Sequence, residues 1–181
     1  MTVGQNALIN ELFDLLPSNN ADYYKEIVSF ITTLGYNPHK QKVHDFVLAF
    51  KNKNNKLIAK IGIYKNDVRF RLKFHACRNV PAWCLKALWT EDFENEQANR
   101  FQKDKPKPLD NVKRPSGVIT IQCTGSCKSC GGMRYWFKFD DGREINRCSA
   151  YPVEIMNLVE INMNELKGVI LEQHEYFMSM L

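Results

Sequence analysis

The sequence predicts an α+β fold, in which an antiparallel sheet carries helices packed mainly on one face. Three observations lead to this prediction. Apolar residues recur at helical spacing near both ends of the chain, branched and aromatic residues fill residues 44–75 in strand-like blocks, and short polar turns join these blocks. With 181 residues, of which 44% are hydrophobic and 25% charged, the chain can form a single well-packed domain over 1–181.

Two helices are expected at the start of the chain. In residues 6–16 the apolar side chains recur every three or four positions, and Pro17 ends the run because proline cannot continue a helix. A second helix should begin at a cap provided by Asn20 or Asp22 and end at Gly35. A pair of helices of this kind must lay its apolar stripe on another layer, which we expect to be the sheet.

Two further helices are predicted, one in the middle of the chain and one at its end. Residues 81–93 begin with a proline that the first helical turn tolerates, and residues 163–181 form the last helix. The cap of the last helix should be one of two residues, Asn162 or Asn164. Residues 94–116 are polar and contain prolines, so we expect a long surface loop. From Pro152 the chain is interpreted as a short connection.

Three strands are predicted in the first half of the chain, over 44–51, 56–65 and 68–75. The last two should form a hairpin around a two-residue turn at Asn66-Asp67, because a longer turn would mix apolar and charged faces. This turn predicts four cross-strand pairs: Tyr64 with Arg69, Ile63 with Phe70, Ile61 with Leu72, and Lys60 with Lys73.

The predicted hairpin has one apolar and one basic face. The apolar face should contact the helices and comprises Ala59, Ile61, Ile63, Phe70, Leu72 and Phe74. The basic face comprises Lys60, Tyr64, Arg69, Arg71 and Lys73. It could bind a small anionic ligand, or nucleic acid with the tyrosine stacking on a base. The plainer interpretation is a solvent-facing sheet surface on which cationic side chains deter edge-to-edge association.

The cysteines give the most specific signal. Four of the six follow a C-x3-C-x2-C pattern with one later member: Cys123, Cys127, Cys130 and Cys148. A strand over 118–121 precedes them, and a hairpin over 133–139 and 143–148 turns around Asp141. This turn places the last cysteine opposite Arg134, so four sulfurs can meet at one end of a hairpin module spanning 117–150.

Four thiolates suit a structural zinc ion, and we expect a β-hairpin stabilised by a metal ion with four cysteine ligands. The alternatives are an iron–sulfur cluster on the same cysteines, or cysteines that bind no metal or pair as disulfides outside a reducing compartment. The C-x3-C-x2-C pattern also occurs in radical S-adenosylmethionine enzymes, but Ser129 replaces their aromatic residue and too little chain follows. Cys84 is interpreted as a small buried hydrophobic residue, whereas Cys77 beside His75 could be a reactive thiol.

No catalytic constellation is recognised. The four histidines form no H-x-x-x-H pair, and no nucleophile elbow or phosphate-binding glycine loop occurs. Glu172, His174 and Glu175 are interpreted as a solvated helix face. The N-terminal residues do not resemble a signal peptide, and a cytoplasmic location with reduced thiols is expected. A net charge of +5 and a pI near 8.8 permit an anionic partner without requiring one.

Three segments carry a resemblance to a family: FVLAFKNKNNKLIAKIGIYKNDVRFRLKF, CTGSCKSCGGMRYWFKFDDGREINRC and LEQHEYF. They resemble a group of small bacterial proteins with a cysteine-rich hairpin and no established activity, and the strand core is loosely similar to the YdhG-like α+β fold. The resemblance covers most of the chain from Asp45 and implies a metal site without a catalytic residue. We therefore expect a zinc-containing protein that binds a partner or a small anionic ligand without catalysis. Nucleic-acid binding and iron–sulfur or thiol redox chemistry are the alternatives.

Overall fold

The computed structural model describes residues 1–65, 67–74, 81–84 and 153–179, together with the backbone of three strands between residues 118 and 148. The chain separates into two compact units. Met1–Lys73 and Glu154–Leu181 form the first unit, and Phe74–Val153 form the second. The prediction that both belong to a single domain stays a prediction.

The first unit combines a sheet with three helices. Its helices are α1 (Val3–Leu15), α2 (Ala21–Thr33) and α3 (Met163–Ser179), with a short 3-10 helix at Leu158–Glu160. Its strands are β1 (Asn37–Lys40), β2 (Phe46–Lys51), β3 (Leu57–Tyr64), β4 (Asp67–Leu72) and β8 (Val153–Ile155). The five strands lie in the order β1-β2-β3-β4-β8, with the first three pairs antiparallel. The expected α+β class is confirmed.

The helices begin and end largely where local signals predict. At α1, Thr2 and Gln5 form a reciprocal capping box, in which each side chain accepts a hydrogen bond from the other's backbone N–H. Asn20 is the residue before α2, although its side chain makes no capping hydrogen bond. Gly35 follows α2 with φ of 84°, a left-handed conformation that favours glycine. Asn162 caps α3 by accepting from two backbone N–H groups.

The β3–β4 hairpin has a two-residue loop, as predicted, but its register is shifted by two residues. Tyr64 pairs with Asp67, not with Arg69, and Ile61 pairs with Phe70, not with Leu72. The loop therefore starts at Lys65, which takes the left-handed φ of 55° that tight hairpin turns use. Ile63 pairs with Val68 and Lys60 with Arg71, so the other two predicted pairs are also wrong. A two-residue shift leaves every side chain on its predicted face.

The apolar face of the sheet forms the core with the helices. Most of its predicted members are buried, namely Ala59, Ile61, Phe70, Leu72 and Phe74, while Ile63 is half-buried. Helix α1 contacts β1 and β2, α3 contacts β3, and α2 contacts both other helices. Lys40, which pairs with Leu48, reaches Glu11 of α1 at 2.5 Å from Nζ to Oε1.

The opposite face is not a uniform solvent surface. Val47 and Ala49 pair with Gly62 and Lys60, which places them on the face of the basic residues, and both are buried. Ile58 lies two residues before Lys60 on β3, and therefore on the same face, and it is also fully buried. The basic side chains therefore stand on a sheet face that is partly apolar.

The structure contains a strand, β8, where the sequence predicts only a short connection. Val153 and Ile155 are buried and the residue between them is half-exposed, as in a strand with one face covered. Met156 and Asn157 line a cleft of about 310 Å³ with Asp67 and Val68 at the start of β4. Glu154 contacts Arg69 and Arg71, which come later in β4 than Asp67 and Val68. The two strands therefore run antiparallel.

The second unit contains a three-stranded antiparallel sheet in the order β5-β6-β7. These strands are β5 (Val118–Gln122), β6 (Met133–Lys138) and β7 (Glu144–Cys148). The predicted hairpin register is confirmed, because Arg134 pairs with Cys148. Residues 82–84 are helical, at the start of the helix predicted over 81–93, and Cys84 is buried as expected. The rest of that helix and the predicted 94–116 loop lie outside the described residues.

Candidate functional site

Strands β3, β4 and β8 bring four polar side chains together on the basic face. We call Tyr64, Arg69, Arg71 and Glu154 the arginine cluster. The two arginines are two residues apart on β4, so both point to the same side of the sheet. In the register they lie opposite Gly62 and Lys60, whereas the last predicted member, Lys73, directly follows β4. The structure thus joins three of the five predicted ligand-binding residues in one cluster.

The ring of Tyr64 lies over Gly62, two residues earlier on the same strand. A Cβ atom added to Gly62 would come within 2.5 Å of Tyr64 Cε2 and 2.8 Å of its Cζ and Oη. Such distances are well below a van der Waals contact. Only a residue without a side chain allows this close approach of the ring to the backbone.

Both arginines contact this ring. The Cζ atoms of Arg69 and Arg71 lie 4.9 and 5.1 Å from the ring centroid of Tyr64, within the range of cation–π attraction. Arg71 also donates a hydrogen bond from Nη1 to Tyr64 Oη at 3.0 Å. The tyrosine therefore fixes the position of two guanidinium groups.

Glu154 bridges the two guanidinium groups from β8. Its Oε1 accepts from Arg69 Nη1 at 3.3 Å, and its Oε2 accepts from Arg71 Nε. Sequence reasoning missed this residue, although the alternation of Val153, Glu154 and Ile155 was a signal that could have identified it. The partners are more than 80 positions apart in the chain, so local patterns could not pair them.

The cluster is half-buried and carries excess positive charge. The side chains of Arg69, Arg71 and Glu154 are 32%, 29% and 32% exposed. One carboxylate faces two guanidinium groups, and Arg69 Nε is buried without a hydrogen-bond partner in the described part of the chain. Lys60 stands opposite Arg71 and is half-buried. The arrangement offers partly desolvated donors to an oxyanion.

The cysteine site is described only in its backbone frame. Cys148 ends β7 and lies beside Arg134 of β6, which in turn lies beside Ile121 of β5. Gln122, the last residue of β5, pairs with Met133, the first residue of β6. The three remaining predicted ligands lie outside the described residues: Cys123, Cys127 and Cys130. In sequence they connect these two strand ends, and the start of β6 lies beside the end of β7.

No metal-binding group appears elsewhere in the described structure. Within residues 1–65, 67–74, 81–84 and 153–179, no three His, Cys, Asp or Glu side chains are arranged to hold a metal ion. In those ranges no helix is long and apolar enough to cross a membrane. His75 and Cys77, predicted as a possible reactive pair, lie outside the described residues.

The predicted solvated face of α3 is only partly solvated, because Glu175 is exposed whereas His174 is half-buried. Nδ1 of His174 lies 3.3 Å from Oη of Tyr36, and the two rings meet edge to face at 5.7 Å between centroids. Tyr36 is fully buried, and burial raises its pKa to about 12 against the opposing effect of a hydrogen bond from Asn52. The histidine is therefore part of the contact between α3 and the residue that precedes β1.

Comparison with known proteins gave no match among family models, curated proteins or solved structures. The resemblance to small bacterial proteins and to the YdhG-like fold stays a prediction.

Proposed function

We propose that this protein is a zinc-containing binding protein that takes a small anionic ligand without catalysis. The observation that carries the proposal is the arginine cluster, in which two guanidinium groups are held side by side with one carboxylate between them. Guanidinium groups bind oxyanions more tightly when their N–H donors are held in position before the ligand binds. The zinc ion has a structural role in the second unit.

The zinc site would consist of Cys123, Cys127, Cys130 and Cys148. The register of the β5-β6-β7 sheet supports this site, because the end of β7 lies beside the start of β6, one of the two strand ends that the first three cysteines connect. Four thiolates form a closed tetrahedral shell without an open position for water, which is typical of structural zinc. Such an ion would contribute its binding free energy to the folding of this unit.

Elemental analysis of untagged protein, purified without affinity metals, tests the zinc site. We expect stoichiometric zinc, its loss in Cys148→Ser, and its retention in the matched control Cys84→Ala. Tryptophan fluorescence should change on chelation, since all three tryptophans fall within Phe74–Val153. If the protein contains iron and acid-labile sulfide instead of zinc, the four cysteines hold an iron–sulfur cluster. The absence of both metals would refute the site.

The geometry of the arginine cluster favours a small anion over nucleic acid. A stacking platform needs an open aromatic face, but the ring of Tyr64 lies over Gly62 and contacts both guanidinium groups. Hydrogen-bond donors, by contrast, remain at the half-exposed arginines. The ligand should therefore be recognised by charge and hydrogen bonds.

Calorimetric titration with inorganic pyrophosphate at low ionic strength tests the anion site. We expect binding to the wild type and a loss of affinity of about tenfold or more in Arg71→Gln, since charged hydrogen bonds contribute on this scale. The matched control is Lys40→Gln, which removes the same charge at an ion pair with Glu11 on the other face. Equal weakening in both variants would refute a specific site.

A further inference from the structure

We infer that Glu154 is a displaceable internal counter-ion, and that the ligand replacing it on Arg69 and Arg71 is a dianionic oxyanion such as a phosphate group. This inference rests on the proposed anion-binding function and assigns to Glu154 a role that the proposed function does not contain.

The carboxylate of Glu154 is divided between two partners. It gives one oxygen to Arg69 Nη1 and the other to Arg71 Nε, so neither guanidinium group receives a two-oxygen contact. A guanidinium group carries five N–H donors and pairs best with two oxygens of one anion. Arg69 Nε is buried and without a hydrogen-bond partner in the described structure, so the internal carboxylate leaves donor capacity unused.

The charge balance indicates a dianion. Two guanidinium groups share one negative charge, and Lys60 stands opposite Arg71 in the register, adding a third positive charge nearby. Exchanging the monoanionic carboxylate for a phosphate group would neutralise this face more completely than exchange for another carboxylate. Phosphate oxygens also suit two guanidinium forks at once.

The position of Glu154 permits its displacement without unfolding. Strand β8 has three residues and lies at one end of the order β1-β2-β3-β4-β8. Its buried neighbours Val153 and Ile155 anchor the backbone, while the Glu154 side chain is 32% exposed. The carboxylate can therefore turn into solvent with the β3–β4 ladder intact.

The test is titration of wild type and Glu154→Gln with inorganic pyrophosphate, with acetate as the monoanionic comparison. Removing the carboxylate charge should tighten pyrophosphate binding about 5- to 30-fold, the range expected when two partly exposed ion pairs no longer compete. Acetate should bind more weakly than pyrophosphate to both proteins. The matched control Glu11→Gln removes a carboxylate that pairs with Lys40 elsewhere and should leave the affinity unchanged.

The outcomes separate the inference from the proposed function. Pyrophosphate binding to neither wild type nor Glu154→Gln would refute the anion site itself. Binding to wild type that weakens in Arg71→Gln but is not tightened in Glu154→Gln would overturn the counter-ion role and leave the anion site standing. Should Glu154→Gln fail to fold by circular dichroism, Glu154→Asp withdraws the carboxylate by one methylene. Tighter binding of that variant supports the inference, and unchanged or weaker binding overturns it.

Discussion

Replacing Gly62 by alanine is the sharpest test of how the arginine cluster is held. The new methyl group would lie 2.5 Å from Tyr64 Cε2, so the ring must swing away from the strand. The backbone at Gly62 can accommodate alanine without strain, because Gly35 is the only glycine of the described residues with a left-handed φ. Any loss of stability in Gly62→Ala should therefore come through the tyrosine.

The magnitude follows from the contacts that the ring would lose. Two cation–π contacts at about 0.5–1 kcal/mol each and one hydrogen bond of about 1 kcal/mol amount to roughly 2–3 kcal/mol. Replacing glycine within a strand returns about 0.5–1 kcal/mol through the entropy of the unfolded chain. We expect a net destabilisation of about 1–2.5 kcal/mol.

Urea denaturation followed by far-UV circular dichroism measures this effect. The decisive comparison is a double-mutant cycle with Tyr64→Ala, in which Gly62→Ala should stabilise by about 0.5–1 kcal/mol, so the sign reverses. Gly168→Ala is the matched control, since in the described residues nothing beyond its chain neighbours and the backbone of α3 lies within 4 Å of its added Cβ, and it should stabilise by about 1 kcal/mol. If Gly62→Ala has the same effect with and without the tyrosine ring, the reasoning is refuted.

Three further outcomes are expected. The folded-state pKa of Tyr36 is raised from 10.0 to about 12, so its contribution to stability is complete below pH 10 and is lost as the pH rises through 12. Tyr36→Phe should lower stability at neutral pH by about 1–2 kcal/mol but flatten the decline between pH 10 and 12, as measured by urea denaturation across that range; an unchanged slope would contradict this. Thr2→Ala removes half of the α1 capping box and should cost about 1 kcal/mol, whereas Thr33→Ala, at the end of α2, should cost less; equal costs would argue against the cap. Ile27→Ala, at a fully buried position of α2, should cost about 2–5 kcal/mol by thermal or urea unfolding, against under about 1 kcal/mol for Leu171→Ala, which is 40% exposed.

Short-range signals in the sequence were sufficient for several elements. The end of α1 before Pro17 and the end of α2 before Gly35 depend on residues within one helical turn. The pairing of Arg134 with Cys148 depends on one hairpin whose turn lies between them. In each case the deciding residues are close in the chain, so their effect does not depend on the rest of the fold.

Local sequence patterns do not predict the contacts between residues that are far apart in the chain. Glu154 meets Arg69 and Arg71 only because the chain returns to the sheet after the whole second unit, and no local pattern specifies where it returns. The contact of His174 with Tyr36 joins positions 138 apart for the same reason. The predicted basic face consists of four separate cations and a tyrosine, whereas the structure shows a cluster with its own counter-ion.

The alternation of apolar and charged residues specifies which side chains share a face of the β3–β4 hairpin, whereas how far along the strands they pair depends on tertiary contacts. Strand side chains alternate with a period of two, so a register shifted by two residues preserves both faces, and hydrophobic patterning cannot distinguish the two registers. The choice lies with contacts made in three dimensions, such as the hydrogen bond from Arg71 of β4 to Tyr64 of β3 and the carboxylate of Glu154 beside β4. Those contacts exist only once the strands have met.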